Sequence, residues 1–209
     1  MSTVEIYVQA FIAIFMIVNP IDPVKIVIFN DVVERQGLAR RAAALRVAIV
    51  VFGILAVSAL VGRELLQLIG IDLGAFGVVG GLIVAAMGVE MLYGGAPSRA
   101  QGGREAERRP ADENGLVLPL ATPLMAGPGG ITTVIAVSTF QDGWTSLLAA
   151  LVGVAVVSVL VFVGFAFLGG AFSRLSASAA AMLTRFGGLL LATIGVQLAL
   201  SGLRTFYGF

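Results

Sequence analysis

Long apolar runs are the feature that most limits what this chain can fold into. Four of them continue for long enough to cross a membrane as a helix, which takes about 20 residues. They lie at Val47–Val61 (extended backwards over Ala42–Leu45), Phe76–Tyr93, Leu147–Leu168 and Phe186–Leu203. Only 12% of residues are charged, against about 25% in a soluble domain. The sequence therefore predicts an all-α integral membrane protein.

Two further apolar runs are interrupted near their middles. One covers residues 6–29 and breaks at Asn19–Pro23, and the other covers residues 116–140 and breaks at Gly127–Gly130. At about 1.5 Å per residue, neither half of either run is long enough to cross alone. Each run predicts one discontinuous span, with a re-entrant pair as the alternative. The total is six transmembrane helices, of which helices 1 and 4 are discontinuous.

The two halves of the chain resemble each other at a nearly constant offset. Gly80–Glu90 matches Gly187–Gln197 with an offset of 107 residues, and an offset of 108 places Pro20 opposite Pro128. Each half has three spans, an odd number, so the second half must be inverted relative to the first. Inverted repeats with helix breaks at matching positions are typical of secondary transporters.

This repeat divides the chain into three parts. We expect a first three-helix repeat at residues 1–93, a cytoplasmic linker at residues 94–115 and an inverted second repeat at residues 116–209. Small residues recur on one face of the third span, at Gly81 and Gly88, and again in the sixth. Such stripes let helices approach closely in lipid, so we interpret them as packing surfaces.

Arginine is distributed unevenly between the two ends of the predicted spans. The side that would hold both termini carries two, Arg63 and Arg204, against ten on the opposite side. Those ten are Arg35, Arg40, Arg41, Arg46, Arg99, Arg104, Arg108, Arg109, Arg174 and Arg185. Because positively charged loops stay in the cytoplasm, both termini are predicted to lie outside.

The second break is predicted to favour an anion. Gly127 would be the N-cap and Pro128 the first residue of a half-helix that continues to Phe140. The N–H groups of residues 129–132 would be free, and a helix start attracts negative charge. A substrate carboxylate fits this description. The residues predicted to form this half of the site are Thr122, Gly127, Pro128, Gly129, Gly130 and Thr132.

The first break is predicted to favour a cation. Asp22 would be the N-cap of a half-helix over Pro23–Asn30, and its carboxylate would face a substrate ammonium or a coupling cation. Lys25 would pair with Asp22 on the same helix face. The alternative is that Asp22 only caps the helix and Lys25 only balances its charge. Asn19 adds an amide group that can donate or accept, and Pro20 is the remaining residue predicted to form this half of the site.

Several classes of function are disfavoured by composition. The chain has no histidine and no cysteine, which removes the usual general base, the usual metal ligand and the thiolate nucleophile. No GxGD motif of an intramembrane aspartyl enzyme occurs either, so we expect no enzyme, no catalytic residue, no metal and no cofactor. A net charge of +1 without a basic patch argues against nucleic acid.

Three motifs carry a family resemblance that covers nearly the whole chain. They are Asn19-Pro20-Ile21, Ala75-Phe76-Gly77-x-x-Gly80-Gly81 and Pro119-Leu120-Ala121-x-Pro123-Leu124-x-Ala126-Gly127-Pro128-Gly129. This set resembles the MarC family of six-span inner-membrane proteins. The resemblance implies a bacterial or archaeal cytoplasmic membrane and a similarity to transporters of small neutral amino acids. Family members often have NPxGxxPxF in the first motif, whereas here Asp22 stands at the glycine position.

We therefore predict a secondary transporter, an exporter or exchanger, of small neutral amino acids, with its site between the two breaks. Its partners would be the lipid bilayer and a small zwitterionic solute. Coupling to a proton or a sodium ion, and oligomer formation, are left open by the sequence. The alternatives are a channel or efflux protein for another small solute, or a structural or regulatory membrane protein without transport.

Overall fold

The computed structural model describes residues 2–93, 125–139, 144–168 and 177–208, which form seven α-helices and contain no strand. The helices are α1 (Thr3–Val18), α2 (Pro23–Gln36), α3 (Arg40–Ile69), α4 (Leu73–Leu92), α5 (Pro128–Ser138), α6 (Trp144–Phe167) and α7 (Ala177–Tyr207). Four of them, α3, α4, α6 and α7, are long and apolar enough to cross a membrane. They contain the four uninterrupted runs except for the last residues Tyr93 and Leu168, so the four runs correspond to four candidate membrane-spanning helices.

The first interrupted run forms two helices because its sequence stops one and starts another. Helix α1 begins with a capping box, in which Ser2 accepts from the Glu5 N–H while the Glu5 carboxylate accepts from the Ser2 N–H. It ends at Asn19, whose φ of 43° is left-handed and so stops the helix. Pro20 follows and cannot continue it. The discontinuity therefore lies where the sequence places it.

The second interrupted run is described only from Met125 onwards. Gly127 is the N-cap of α5, with φ −70° and ψ −175°, and Pro128 is its first residue. The half-helix that would precede this break and the predicted linker at residues 94–115 lie outside the described residues.

Several helices are longer than their apolar runs. Helix α3 has 30 residues and α7 has 31, which at about 1.5 Å per residue exceeds a hydrocarbon core of about 30 Å. Helix α2 continues to Gln36 instead of ending at Asn30. Counting apolar residues finds only the part inside the bilayer, whereas alanine- and arginine-rich flanks also favour helix. Helix α3 stops at Gly70, whose φ is 80°.

Helices α4 and α7 form a tightly packed antiparallel pair. A Cβ at Gly88 would lie 2.6 Å from the Gly188 carbonyl oxygen, and one at Gly81 would lie 2.6 Å from that of Gly195. A Cβ at Gly74 would lie equally close to the carbonyl of Gly202. The glycine stripes therefore bring two backbones into contact, as predicted for packing surfaces.

A second group of helices is formed by α1, α3 and α6, and α5 lies between this group and the α4–α7 pair. The α1–α6 contact passes through Gly153, where a Cβ would lie 3.0 Å from the Ile14 side chain. On α5, Ile135 faces Gly62 of α3 and Thr132 faces Gly80 of α4. Helix α5 therefore touches both groups along its short length.

Candidate functional site

The first break is a tight turn between α1 and α2. The Asn19 N–H donates to the Phe15 carbonyl at 2.8 Å and completes the last turn of α1. The Asp22 N–H then donates to the Asn19 carbonyl at 3.3 Å. These four residues therefore form a turn that separates the carbonyl end of α1 from the N–H end of α2.

Two buried charged side chains follow this turn. Asp22 is 4% exposed and Lys25 is 7% exposed, and the two groups interact electrostatically. The Lys25 ammonium donates to the Val18 carbonyl at 2.7 Å, so it reaches back across the break to the end of α1. The Asp22 carbonyl accepts from the Ile26 N–H at 3.1 Å, which puts Asp22 in the N-cap position of α2.

The position of Lys25 has a clear electrostatic cause. The last carbonyls of a helix lack intrahelical partners and carry negative partial charge. An ammonium group bonded to the Val18 carbonyl satisfies that charge, while the Asp22 carboxylate offsets the ammonium. Buried charges are tolerated when they are paired and hydrogen-bonded in this way.

The second break presents the start of α5. The first backbone hydrogen bond described here runs from the Ile131 N–H to the Gly127 carbonyl at 3.0 Å. The N–H groups of Gly129 and Gly130 have no backbone acceptor within residues 125–139, and Pro128 has no N–H at all. Of the four N–H groups predicted to be free, that of Ile131 is engaged and that of Thr132 lies one residue further into α5. The two glycines remain as donors at a helix start.

The predicted threonines differ in what they offer. The Thr132 hydroxyl donates to the Pro128 carbonyl at 2.7 Å, and its side chain packs against Gly80. Its donor is therefore used inside α5, and its oxygen can only accept from a ligand. Thr122 lies outside the described residues.

The two breaks lie next to each other. A Cβ at Gly129 would lie 3.2 Å from Ile17 Cδ1, 3.1 Å from Val84 Cγ2 and 3.4 Å from Met87 Sδ. Ile17 belongs to the last turn of α1, immediately before the first break. The start of α5 therefore packs directly against the end of α1, and apolar side chains leave little room beside Gly129.

Two glycines that sequence reasoning did not assign also line the first break. A Cβ at Gly187 of α7 would lie 3.7 Å from the Asn19 amide nitrogen, and one at Gly164 of α6 would lie 3.1 Å from the Pro20 carbonyl oxygen. Gly187 is the first residue of the repeat segment Gly187–Gln197, and it is not one of the positions interpreted as packing surfaces. The repeat singles out Gly187 as a recurring residue, but only the fold shows that it faces the turn.

Arg40 is a further residue that the sequence did not single out beyond its charge. Its Nε donates to the Phe165 carbonyl at 2.8 Å, and its terminal nitrogen donates to the Asn30 side-chain oxygen at 2.6 Å. The guanidinium also lies 5.8 Å from the ring centre of Phe29. Arg40 thereby ties α2 to the end of α6. No local motif would have revealed the contact with Phe165, which is 125 residues away in sequence.

The chemistry available at the breaks is hydrogen bonding and charge. Within the part of the chain that the structure describes, no three acidic residues come together in a way that could hold a metal. Nine of the ten predicted site residues are described, and they lie at two breaks that are in contact. One break offers free N–H donors, and the other offers a carboxylate, an ammonium and an amide.

Comparison with known proteins places these features in a family. The model of the MarC family integral membrane protein matches residues 4–207. The UPF0056 membrane protein YvbG of Bacillus subtilis is 32% identical over 203 residues, covering 94% of this chain and 93% of the relative. YhcE of Escherichia coli, which has the same UPF0056 description, is 29% identical over 204 residues, covering 95% and 92%.

An archaeal relative extends the comparison. The UPF0056 membrane protein of Pyrococcus horikoshii is 30% identical over 210 residues, covering 100% of this chain and 99% of the relative. No solved structure matches the chain. A family model and relatives that span nearly the full length agree with the resemblance seen in the motifs. The chain belongs to the MarC family of integral membrane proteins, which occurs in bacteria and archaea.

Proposed function

We propose that this MarC-family protein is a secondary transporter, an exporter or exchanger, of small neutral amino acids across the cytoplasmic membrane, with both termini outside. The observation that carries the proposal is the contact between the two helix breaks through Ile17 and Gly129. Broken helices inside a bilayer persist only where protein or a wet cavity satisfies their backbone groups. Two breaks side by side provide backbone donors and acceptors for a small solute.

The start of α5 would bind the substrate carboxylate. Gly129 and Gly130 supply N–H donors at the positive end of a helix dipole, which favours an anion. Glycine lets a ligand approach this backbone closely. The apolar contacts of Gly129 with Ile17 and Val84 restrict the space, which favours substrates with small side chains such as glycine, alanine or serine.

The first break would bind the substrate amino group. The Asp22 carboxylate is an acceptor with several lone pairs, so it can accept from a substrate ammonium while it still offsets Lys25. The Asn19 amide lies beside Gly187, at the same turn. A carboxylate-binding half and an ammonium-binding half together would select a zwitterion over a simple anion or cation.

The packing of α4 against α7 supports two inverted repeats. Gly81 faces the Gly195 carbonyl and the Ala199 backbone, and Gly188 faces the Gly88 carbonyl and the Leu92 backbone. Adding the repeat offset of 107 to the number of Gly81 gives Gly188. Subtracting 107 from the numbers of its contacts Gly195 and Ala199 gives Gly88 and Leu92, which are the contacts of Gly188. Contacts that exchange in this way are expected from an approximate two-fold axis that inverts one half relative to the other.

Two other functions are tested by the same experiments. A channel or an efflux protein for another small solute could use the same breaks, and a structural membrane protein would need them only for folding. Transport of a zwitterion explains directly why the N–H groups at a helix start lie near a buried carboxylate. Neither alternative explains this arrangement as directly.

The proposal is tested by a glycine substitution in the site with a matched control. Gly129→Val would place methyl groups against Ile17 and Val84 and block the N–H donors, so we expect uptake in proteoliposomes to fall at least about 10-fold, or about 1.4 kcal/mol. Gly53→Val in α3 is the control, because a Cβ at Gly53 meets nothing within 4 Å. Normal uptake by Gly129→Val would remove the carboxylate site. If that variant does not fold, Gly129→Ala is used, and a normal substrate affinity in it contradicts the proposal.

A further inference from the structure

A cavity of about 170 Å³ lies between α1, α5 and α7, apart from the residues that form the breaks. Its lining includes four uncharged polar side chains from three helices, Gln9, Thr133, Gln197 and Ser201. Within a bilayer, side-chain amides and hydroxyls that face lipid cost free energy because lipid offers no hydrogen bond. Three of the four, Gln9, Gln197 and Ser201, are exposed, so the cavity is not enclosed. The convergence of these polar groups on one place favours water or another hydrogen-bonding molecule over lipid as its occupant.

Thr133 gives an independent indication. It is 1% exposed, and its hydroxyl oxygen has no hydrogen-bond partner among the residues that the structure describes. Thr132, its neighbour, instead donates to the Pro128 carbonyl. A buried hydroxyl without a partner is costly and is usually explained by a bound water or ligand.

The cavity also has a definite place relative to the two breaks. Thr133 is four residues beyond Gly129, or about 6 Å along α5. Gln9 lies in the first half of α1 and Ser201 near the end of α7, so the cavity extends towards the side of both termini. Its volume is far above the roughly 10–15 Å³ that one water requires.

We infer that this cavity is a water-filled vestibule through which the substrate passes between the helix breaks and the side of the termini. Its amides and hydroxyls would form a second subsite for an uncharged or zwitterionic hydrogen-bonding solute, since none of the described residues that line it is charged. The inference rests on the proposed transport function. A groove filled by lipid, or covered by a second copy of the chain, is the competing occupant.

The test uses the absence of cysteine from the chain, because any introduced thiol is then the only one. Thiols react as thiolates, and thiolates form in water and not in lipid. Ser201→Cys places a thiol at the cavity. Leu200→Cys is the matched control, since Leu200 neighbours Ser201 on α7, is 60% exposed and does not line the cavity. Both variants are reconstituted and treated with a charged methanethiosulfonate reagent.

The vestibule predicts that Ser201→Cys reacts at least about 10-fold faster than Leu200→Cys, and that saturating alanine slows this reaction. Equally slow reaction of both thiols would contradict the inference, whether lipid or a second copy covers the cavity. Fast reaction that alanine does not slow, in protein that still takes up alanine, would also contradict it. Loss of uptake in the unmodified chain, with the difference in reactivity intact, would instead count against transport itself.

Thr133→Val gives a second test of the subsite. Its readout is the substrate concentration for half-maximal uptake, which would not change if the Thr133 hydroxyl had only a structural role. Valine has a similar shape and removes the buried hydroxyl, so stability should be retained or slightly raised. We expect the substrate concentration for half-maximal uptake to rise several-fold while the protein stays folded. The matched control is Ser158→Ala, which also removes only a hydroxyl that is buried without a described partner; Ser158 lies away from the cavity, so this variant should leave uptake unchanged. Equal effects at both positions would overturn the subsite.

Discussion

At the scale of single residues, Lys25 connects the two halves of the first broken span. Its ammonium bonds to the last turn of α1 through the Val18 carbonyl, although Lys25 itself belongs to α2. Asp22 lies between Val18 and Lys25 in the sequence, and its carboxylate offsets the ammonium charge. Removing either charge leaves the other one buried without its counterpart.

We expect Lys25→Met to destabilise the protein strongly. Loss of one member of a buried charged pair costs about 3–5 kcal/mol, whereas replacement of both members is often close to neutral. Adding Asp22→Asn to Lys25→Met should therefore recover most of the lost stability. Thermal unfolding in detergent, followed by far-ultraviolet circular dichroism, measures both steps.

The exposed pair Arg35–Asp31, with an N–O distance of 2.9 Å and side chains 74% and 53% exposed, provides the control for this cycle. Arg35→Met should change the unfolding midpoint very little, since exposed ion pairs contribute little. A double variant as unstable as Lys25→Met alone would show that Asp22 and Lys25 do not compensate each other.

Asp22→Asn alone separates two roles of this side chain. Asparagine caps a helix nearly as well as aspartate, so a capping role predicts normal uptake. Asp22→Asn also leaves Lys25 buried without its counterpart, so uptake is measured well below the unfolding midpoint of the variant. We expect uptake to be lost there, because the carboxylate would contact the substrate ammonium. Normal uptake by this variant would reduce Asp22 to a cap.

Sequence reasoning at this scale found where the half-helices meet the breaks, but it did not find their surroundings. Asn19, Pro20 and Gly127 have local conformational preferences that act wherever they occur. The contact of Asn19 with Gly187 and the bonds of Arg40 to Asn30 and Phe165 depend on packing between distant segments. No single-sequence pattern encodes them.

At the scale of helices, the α4–α7 pair depends on glycine. A Cβ at Gly88 would lie 2.6 Å from a carbonyl oxygen and 2.7 Å from the Cα of Ala192. Because these are backbone atoms, the helices could accept a methyl group only by moving apart, and neighbouring contacts along the pair would weaken with them.

We therefore expect Gly88→Ala to lower the unfolding midpoint in detergent, although alanine favours helix over glycine by about 1 kcal/mol. Gly53→Ala is the matched control, because its Cβ would meet nothing within 4 Å. There the propensity gain should appear as an unchanged or raised midpoint. The opposite order of the two midpoints would contradict close backbone packing.

The four uninterrupted spans could be predicted because a bilayer imposes one length on every crossing helix. Their full extents could not, since α3 and α7 continue into flanks whose helicity comes from propensity. The sequence also could not predict which helices pack against each other, because apolar runs such as Val47–Val61 and Leu147–Leu168 have no pattern that identifies the neighbouring helix. Only the glycine stripes indicated which surfaces approach closely.

At the scale of the whole molecule, the helices form two groups with α5 between them. Helices α1, α3 and α6 form one group and α4 and α7 the other. In a transporter with two inverted halves, exposure of the site alternates when one group moves against the other. The breaks lie where α5 meets both groups, so such a movement would change access to them.

The orientation of the protein in the membrane is predicted from the arginines of the whole chain. With two arginines on the side of the termini against ten on the other, both termini should face outwards. Ser2→Cys should react with an impermeant maleimide in intact cells, whereas Glu34→Cys, at the end of α2, should react only after the cells are opened. The reverse pattern would invert the proposed topology.

Substrate counterflow tests the central claim most directly. Purified protein in liposomes is loaded with an unlabelled amino acid, and uptake of the labelled form is followed across a panel that includes alanine, glycine and serine. We predict saturable uptake that requires internal substrate and favours the small neutral members of the panel. Folded protein that shows no counterflow for any member of the panel, or that conducts without saturation, would contradict a carrier for small neutral amino acids.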